Sequence, residues 1–361
     1  MKIVLFVSAG LGNALLLLPL MKKLKARANE LVGVFVSDQS IEQLFEHSGL
    51  LDEIHTLKQN QDWVRFGTSR VKSFDEAYLD FFSATRKNIL LANTISNKTI
   101  TNHIPRRLPP FLKHFLKVQP PTRHVHETTQ NMKLLYSNYK DADIEESMMR
   151  LPGKFPSVEA LENPAVQELL PVLQGDYIVA QVSAANNKVQ YKNWPLDHWI
   201  AFLTVVSRQF PKHEFVLLGD KNETELAERI MKRNLPNVHS LVGKTTISEL
   251  NSVIAQAQLY LGCDSGLMHL AVALGRPTFT IWGASDFNMY GYHRLFGPHH
   301  GMIFNPKMDC RPCNSWLTPN QSRVTQPEKC PDFRCLRDLT PIMVINAFND
   351  YVDESGAILR S

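Results

Sequence analysis

The stretch that most constrains the fold is residues 259–283, LYLGCDSGLMHLAVALGRPTFTIWG. Its apolar start, 259–262, is long enough for one buried strand, and Cys263, Asp264, Ser265 and Gly266 break the run with turn residues. Residues 267–274 contain no breaker and predict a helix, which Gly275, Arg276 and Pro277 stop. Residues 278–282 then return to strand chemistry. Strand, tight loop, helix and strand make one βαβ unit of a parallel sheet. Asp264, Ser265 and Gly266 fall where the first strand ends and the helix begins. Ligands of open α/β sheets bind at the carboxyl ends of strands. A helix start also offers unpaired N–H groups and a positive dipole end to an anion such as a pyrophosphate. The plainer reading is that Asp264 or Ser265 only caps the helix.

The rest of the chain reads as two successive βα arrays. The first opens on a strand at 2–7, a small-residue loop at 8–13 containing Gly10 and Gly12, and a helix at 14–28. Further strands are expected at 31–36, within 51–57 and at 73–81, with helical segments at 41–45 and 126–139. Residues 151–175 are rich in Pro and Gly and mark the domain boundary. A second array then begins at 177–182, with helices at 199–210, 223–233 and 247–256 and strands at 214–218 and 238–241. The expected division is an N-terminal domain over 1–165, a C-terminal domain over 172–340, and a helix and tail over 341–361. Two arrays of this kind imply two Rossmann-like domains facing across a cleft.

The motif at 264–283 resembles the donor-site signature of glycosyltransferase family nine, the heptosyltransferases of the bacterial lipopolysaccharide inner core. Asp264, Ser265, Gly266, His269, Leu270, Ala271, Gly275, Pro277 and Gly283 all fall in its register. Gly10-x-Gly12 with Pro19 resembles the family's N-terminal loop, Lys192-x-Trp194-Pro195 its Lys-x-Trp-Pro motif, and Gly219 with Glu223 its Gly-x-x-x-Glu junction. The resemblance implies an α/β fold of GT-B type and an inverting glycosyltransferase. It would move a sugar, heptose from ADP-heptose, onto a lipopolysaccharide core or related acidic glycolipid. The alternative is a non-catalytic nucleotide-sugar or glycan-binding protein of the same fold.

The residues suit that chemistry. A nucleotide sugar releases a diphosphate, so positive charge is needed where negative charge develops. Lys192 is a compact cation able to reach a phosphate, or else a solvated surface lysine. The amides of Asp264, Ser265 and Gly266 serve the same diphosphate. His269, one turn into the helix, faces either sugar or core. Glu223 can accept hydrogen bonds from ribose hydroxyls, or is only a first-turn charge. On the acceptor side, the family carries an aspartate after the second loop glycine, taken as the base that deprotonates the acceptor. This chain has Asn13 there, and an amide cannot take up that proton at neutral pH. Asp75 and Asp80 are the other carboxylates of the first domain considered for that task.

Four of the five cysteines, Cys310, Cys313, Cys330 and Cys335, have a spacing that resembles a structural zinc site. Structural thiols, paired or free, are the favoured reading, and the proposed chemistry needs no metal or other cofactor. Residues 61–126 hold eleven Lys and Arg against four Asp and Glu, which suggests an acidic partner for the first domain. No nucleic-acid-reading motif accompanies that charge, so nucleic acid is not expected as a partner. Within this region, residues 111–118 read as a short basic amphipathic helix. Phe111, Leu112, Phe115 and Leu116 form its apolar face, and Lys113, His114 and Lys117 the other. It either packs on the domain or, with Arg106 and Arg107, lies on an anionic membrane surface. The chain opens on a strand with no leader-like charged and apolar regions, and no apolar run reaches the ~20 residues of a membrane span. The expected location is the cytoplasm, with peripheral contact at the inner membrane.

Overall fold

The computed structural model of the chain describes residues 1–8, 10–36, 41–105, 108–113, 115–122, 124–184, 190–313 and 330–356. They form two compact units, residues 1–154 and 155–361. The division falls inside the Pro- and Gly-rich stretch.

The first unit is built on a six-stranded parallel sheet. Its strands are β1 (Lys2–Ser8), β2 (Glu30–Val36), β3 (Glu53–Thr56), β4 (Phe74–Leu79), β5 (Ser96–Thr101) and β6 (Leu116–Val118), in the order β3-β2-β1-β4-β5-β6. β1 is buried on both faces from Ile3 onward, as a parallel sheet between helical layers requires. The sheet reverses direction of growth between β1 and β4, so the loops after Ser8 and Leu79 flank its switch point. The helix expected over 14–28 is two helices, Leu11–Leu16 and Leu18–Arg27, because Pro19 has no N–H to carry one ladder across the junction. The helices Asn60–Ser69 and Arg86–Ile95 and strand β5 are additions to the sequence reading.

The basic segment is corrected by the structure. Residues 111–118 are not one helix: a single turn, Pro110–Lys113, is followed by edge strand β6, which pairs with β5. Pro109 and Pro110 open the turn, and backbone pairing at the sheet edge satisfies more N–H and C=O groups than a second isolated turn would. The expected apolar face is therefore split. Leu112 is buried, Leu116 is partly buried against the core, and Phe111 and Phe115 are exposed. Arg106, Arg107 and His114 lie outside the described residues.

The second unit repeats the architecture with β7 (Tyr177–Ala180), β8 (Glu214–Leu217), β9 (Val238–Ser240), β10 (Leu259–Cys263), β11 (Thr278–Trp282) and β12 (His300–Phe304), ordered β12-β11-β10-β7-β8-β9 and all parallel. Its switch point lies between β7 and β10. Helix Leu196–Gln209 covers one face and meets the C-terminal helix Pro341–Ser355 through aromatic edges. Phe202 and Phe348 lie 5.7 Å apart, Trp194 and Trp199 5.3 Å, and Phe279 and Phe348 5.3 Å. Such pairs each contribute ~0.5–1.5 kcal/mol beyond the area they bury. No helix among the described residues is long and apolar enough to cross a membrane.

Candidate functional site

The switch point of the second sheet gathers the residues singled out in 259–283. Helix Gly266–Ala273 begins directly after β10, with Ser265 at its N-cap position, and no side chain caps it. The plain capping reading therefore fails. The Ser265 hydroxyl is drawn the other way, into a buried cluster: it donates to Gln181 Oε1 and lies 3.1 Å from the Tyr260 hydroxyl, which itself donates to Gln181 Oε1 at 2.9 Å. A helix whose first amides receive no side-chain acceptor keeps its full affinity for an external anion.

Lys192 ends a short helical turn, Gln190–Lys192, and its Nζ lies 2.7 Å from Asp264 Oδ2. It is an ion-paired and only partly exposed lysine, not a solvated surface one. The Asp264 side chain is 5% exposed and that of Lys192 21%. Burial is the largest influence and would raise the Asp264 carboxyl, but the Lys192 ammonium together with the other groups and hydrogen bonds around it holds the group below its ordinary range. Burial likewise opposes the Lys192 charge, but the Asp264 carboxylate, foremost among several favourable neighbours, helps raise the net pKa, so Lys192 stays protonated. The neighbouring motif residues hold this pair in place. Asn193 Oδ1 accepts from the Ala184 amide at 2.7 Å, and Trp194, buried among aromatic rings, donates Nε1–H to the Leu339 carbonyl at 2.7 Å.

His269 is buried, and its Nδ1 meets the Tyr292 hydroxyl at 2.7 Å. Burial lowers its pKa to about 4, so it is a neutral imidazole at physiological pH. Glu223 closes a short turn, Lys221–Glu223, ahead of the helix Thr224–Met231 rather than lying inside it. Its Oε2 accepts from the Asp220 amide at 3.0 Å, while Oε1 is buried with no hydrogen bond among the described residues. Burial raises its pKa to about 7. The fold makes room for this carboxylate at Gly219, where a Cβ would lie 2.0 Å from Glu223 Oε2. Lys192, Glu223, Asp264, Ser265, Gly266 and His269 are thus brought together in the second unit, with the Tyr260 and Cys263 side chains within electrostatic reach of both Glu223 and Asp264.

Gly10, Gly12 and Asn13 lie in the first unit, where β1 passes into the helix Leu11–Leu16. Gly10 has φ +110°, a conformation that favours glycine, and a Cβ there would sit 3.4 Å from Asn13 Nδ2. The Asn13 amide thus folds back over the loop. Of the two other carboxylates considered, Asp75 lies near the amino end of β4 and accepts from the Lys2 amide at 2.8 Å, at the wrong end of the sheet for a ligand site. Asp80 follows the carboxyl end of β4, fully buried, and accepts from the Ser83 amide at 2.8 Å; burial raises its pKa.

Sequence reasoning missed Gln181, Tyr260 and Tyr292. A tyrosine inside an otherwise apolar strand, as at 260, needs a partner for its hydroxyl, and that was the available signal. Of the four C-terminal cysteines, Cys313 and Cys335 are buried and Cys310 and Cys330 partly so, and no group of three or more His, Cys, Asp or Glu among the described residues is arranged to hold a metal.

Two all-parallel six-stranded sheets, one in each unit, define an α/β protein of GT-B type, and the switch point of the second sheet carries an uncapped helix start, a lysine–aspartate ion pair and a glutamate with one oxygen unbonded among the described residues. The family model described as glycosyltransferase family 9 (heptosyltransferase) matches residues 110–322, more than half of the chain, and the chain belongs to that family. It is 31% identical over 114 residues to lipopolysaccharide heptosyltransferase 3 of Escherichia coli, covering 31% of this chain and 32% of that protein. The chain thus spans about a third of the length of that curated relative. Two solved structures share its fold. A glycosyltransferase family 9 protein from Veillonella parvula has a TM-score of 0.74 at 16% identity, covering 98% of this chain and 97% of that one. The ADP-heptose lipopolysaccharide heptosyltransferase II of E. coli has a TM-score of 0.67 at 16% identity, covering 99% and 100%.

Proposed function

We propose that the protein is an inverting glycosyltransferase that takes heptose from ADP-heptose and transfers it to a lipopolysaccharide core or related acidic glycolipid. The observation that carries this reading is the uncapped start of helix Gly266–Ala273 beside the Lys192–Asp264 pair, in a chain of this family. The diphosphate of the donor lies on the amides of Ser265 and Gly266, and Lys192 turns part of its charge from Asp264 toward the leaving phosphate. The free Oε1 of Glu223 accepts from a ribose hydroxyl. Neutral His269, oriented by Tyr292, donates a hydrogen bond rather than a charge. These groups supply the positive field that departure of the nucleotide requires, and the reading calls on no metal.

The first unit takes the acceptor. The acceptor's hydroxyl oxygen attacks the anomeric carbon as the bond to the diphosphate breaks; Asn13 only orients that hydroxyl, and its proton passes to water or to the departing diphosphate. Slow transfer follows from the missing carboxylate. The basic balance of residues 61–126 suits a phosphorylated glycolipid, and with it peripheral contact at the cytoplasmic face of the inner membrane.

The test is calorimetry with ADP, followed by ADP release from ADP-heptose across a panel of core acceptors. ADP binding with acceptor-dependent release supports the reading. Binding without release on any acceptor leaves a nucleotide-sugar-binding protein, and absence of ADP binding refutes the donor site.

A further inference from the structure

The first unit carries an exposed aromatic pair beside two unneutralised cations. Phe111 and Phe115 are 62% and 63% exposed. Phe111 lies within the turn Pro110–Lys113, and Phe115 follows it. Leu112 is sunk in the core, the Phe115 amide donates to the Leu112 carbonyl at 3.3 Å, and the chain then pairs with β5 as β6. The two exposed rings, four residues apart in sequence, thus stand beside the anchor at Leu112 and the start of β6. Phenylalanine is among the residue types most often buried, and neighbouring exposed rings on an ordered segment mark a surface that something covers.

The lysines of the segment indicate what covers it. Lys113 and Lys117 alternate with the rings, are exposed, and form no ion pair among the described residues. Elsewhere in the same unit Lys2 pairs with Glu30, Lys25 with Asp52 and Lys98 with Glu76. The core of a protein–protein interface is depleted in lysine. Interleaved phenylalanine and lysine instead match a lipid interface, where rings enter the acyl boundary while ammonium groups stay with anionic headgroups.

We propose that Phe111 and Phe115 insert into the surface of an anionic bilayer and that Lys113 and Lys117 meet its headgroup phosphates. This deepens the proposed function and rests on it in one respect: a glycolipid acceptor is met at a membrane. Two rings and two lysines give shallow, reversible attachment, suited to an enzyme that visits many acceptors.

The experiment uses the full chain and vesicles of phosphatidylcholine with or without an equal share of phosphatidylglycerol. The wild type sediments with anionic vesicles and is released by salt. Phe111→Ser/Phe115→Ser lowers partitioning at least ~10-fold. Lys113→Gln/Lys117→Gln lowers it by about fivefold per lysine on anionic vesicles only. Phe115→Trp gains fluorescence that brominated acyl chains quench, beyond any quenching of the native tryptophans. Equal partitioning to neutral and anionic vesicles, or a serine variant that binds like the wild type, overturns the proposal. So does a dimer that the serine substitutions dissociate in the absence of vesicle binding. Turnover on a deacylated, water-soluble acceptor separates the two readings. If the wild type turns over there but ignores vesicles, only the membrane contact fails; if it binds vesicles but neither binds ADP nor turns over, only the transferase reading fails.

Discussion

Substituting Lys192 by Met keeps the length of the stem and removes the charge that partners Asp264. The carboxylate left behind is 5% exposed, and breaking a buried pair from one side costs ~3–5 kcal/mol. Because a fifth of the Lys192 side chain reaches solvent, the lower figure applies, about 3 kcal/mol at pH 7.5. The pH dependence must also change sign. In the wild type the Asp264 pKa is depressed, so its contribution is present above the unfolded value and is lost as pH falls through the folded one. Without the lysine, burial is the largest remaining influence and raises that pKa. The variant then regains stability on acidification, by at most ~1.4 kcal/mol per pH unit, between the raised folded value and the unfolded value near 4. Adding Asp264→Asn to Lys192→Met removes the stranded charge and restores most of the loss at pH 7.5. Binding of ADP by Lys192→Met weakens by ~1.5–3 kcal/mol, the size of a charge-assisted hydrogen bond. The assays are urea unfolding at pH 5 and 7.5, and calorimetry with ADP on the folded protein. A variant as stable as wild type at both pH values, with unchanged ADP affinity, refutes both the pair and the donor-site role.

Other outcomes follow from neighbouring residues. The Glu223 pKa is raised to about 7, so the folded state loses stability as pH climbs from the unfolded value near 4.5 through 7; Glu223→Gln abolishes that loss in urea titrations, while ADP binding weakens. Gly219→Ala forces a methyl onto Glu223 Oε2, breaks its bond to the Asp220 amide, and costs ~2 kcal/mol in thermal unfolding; an unshifted melting temperature would show that the turn is not tightly packed. Asn13→Asp restores the family's carboxylate and raises acceptor-dependent ADP release by ~100- to 10,000-fold with donor affinity unchanged. A flat rate in that variant, with Asp80→Asn abolishing wild-type turnover, would assign the base to Asp80.

The sequence by itself determined the βαβ unit at the centre of the second sheet. Residues 278–282, opened by Pro277, and 247–256 carry unbroken strand and helix patterns, and the structure places elements at those bounds. It also determined which residue types stand at the strand ends, since Asp264, Ser265 and Gly266 are turn residues wherever they occur. Only the tertiary structure decided what those residues do. Ser265 could cap its helix, yet Gln181 and Tyr260, some 84 and 5 residues away, draw its hydroxyl aside and leave the helix amides open. Lys192 is indistinguishable in sequence from a solvated lysine; its partner Asp264 is 72 positions on and arrives only because β7 and β10 lie side by side. The segment 111–118 shows the same limit in reverse. Its amphipathic period is real, but a sheet edge offering backbone partners outcompeted the helix, and the two phenylalanines meant for its buried face were left in water. Local pattern fixes an element when no long-range partner bids for its backbone or side chains; where one does, the packing of distant segments decides.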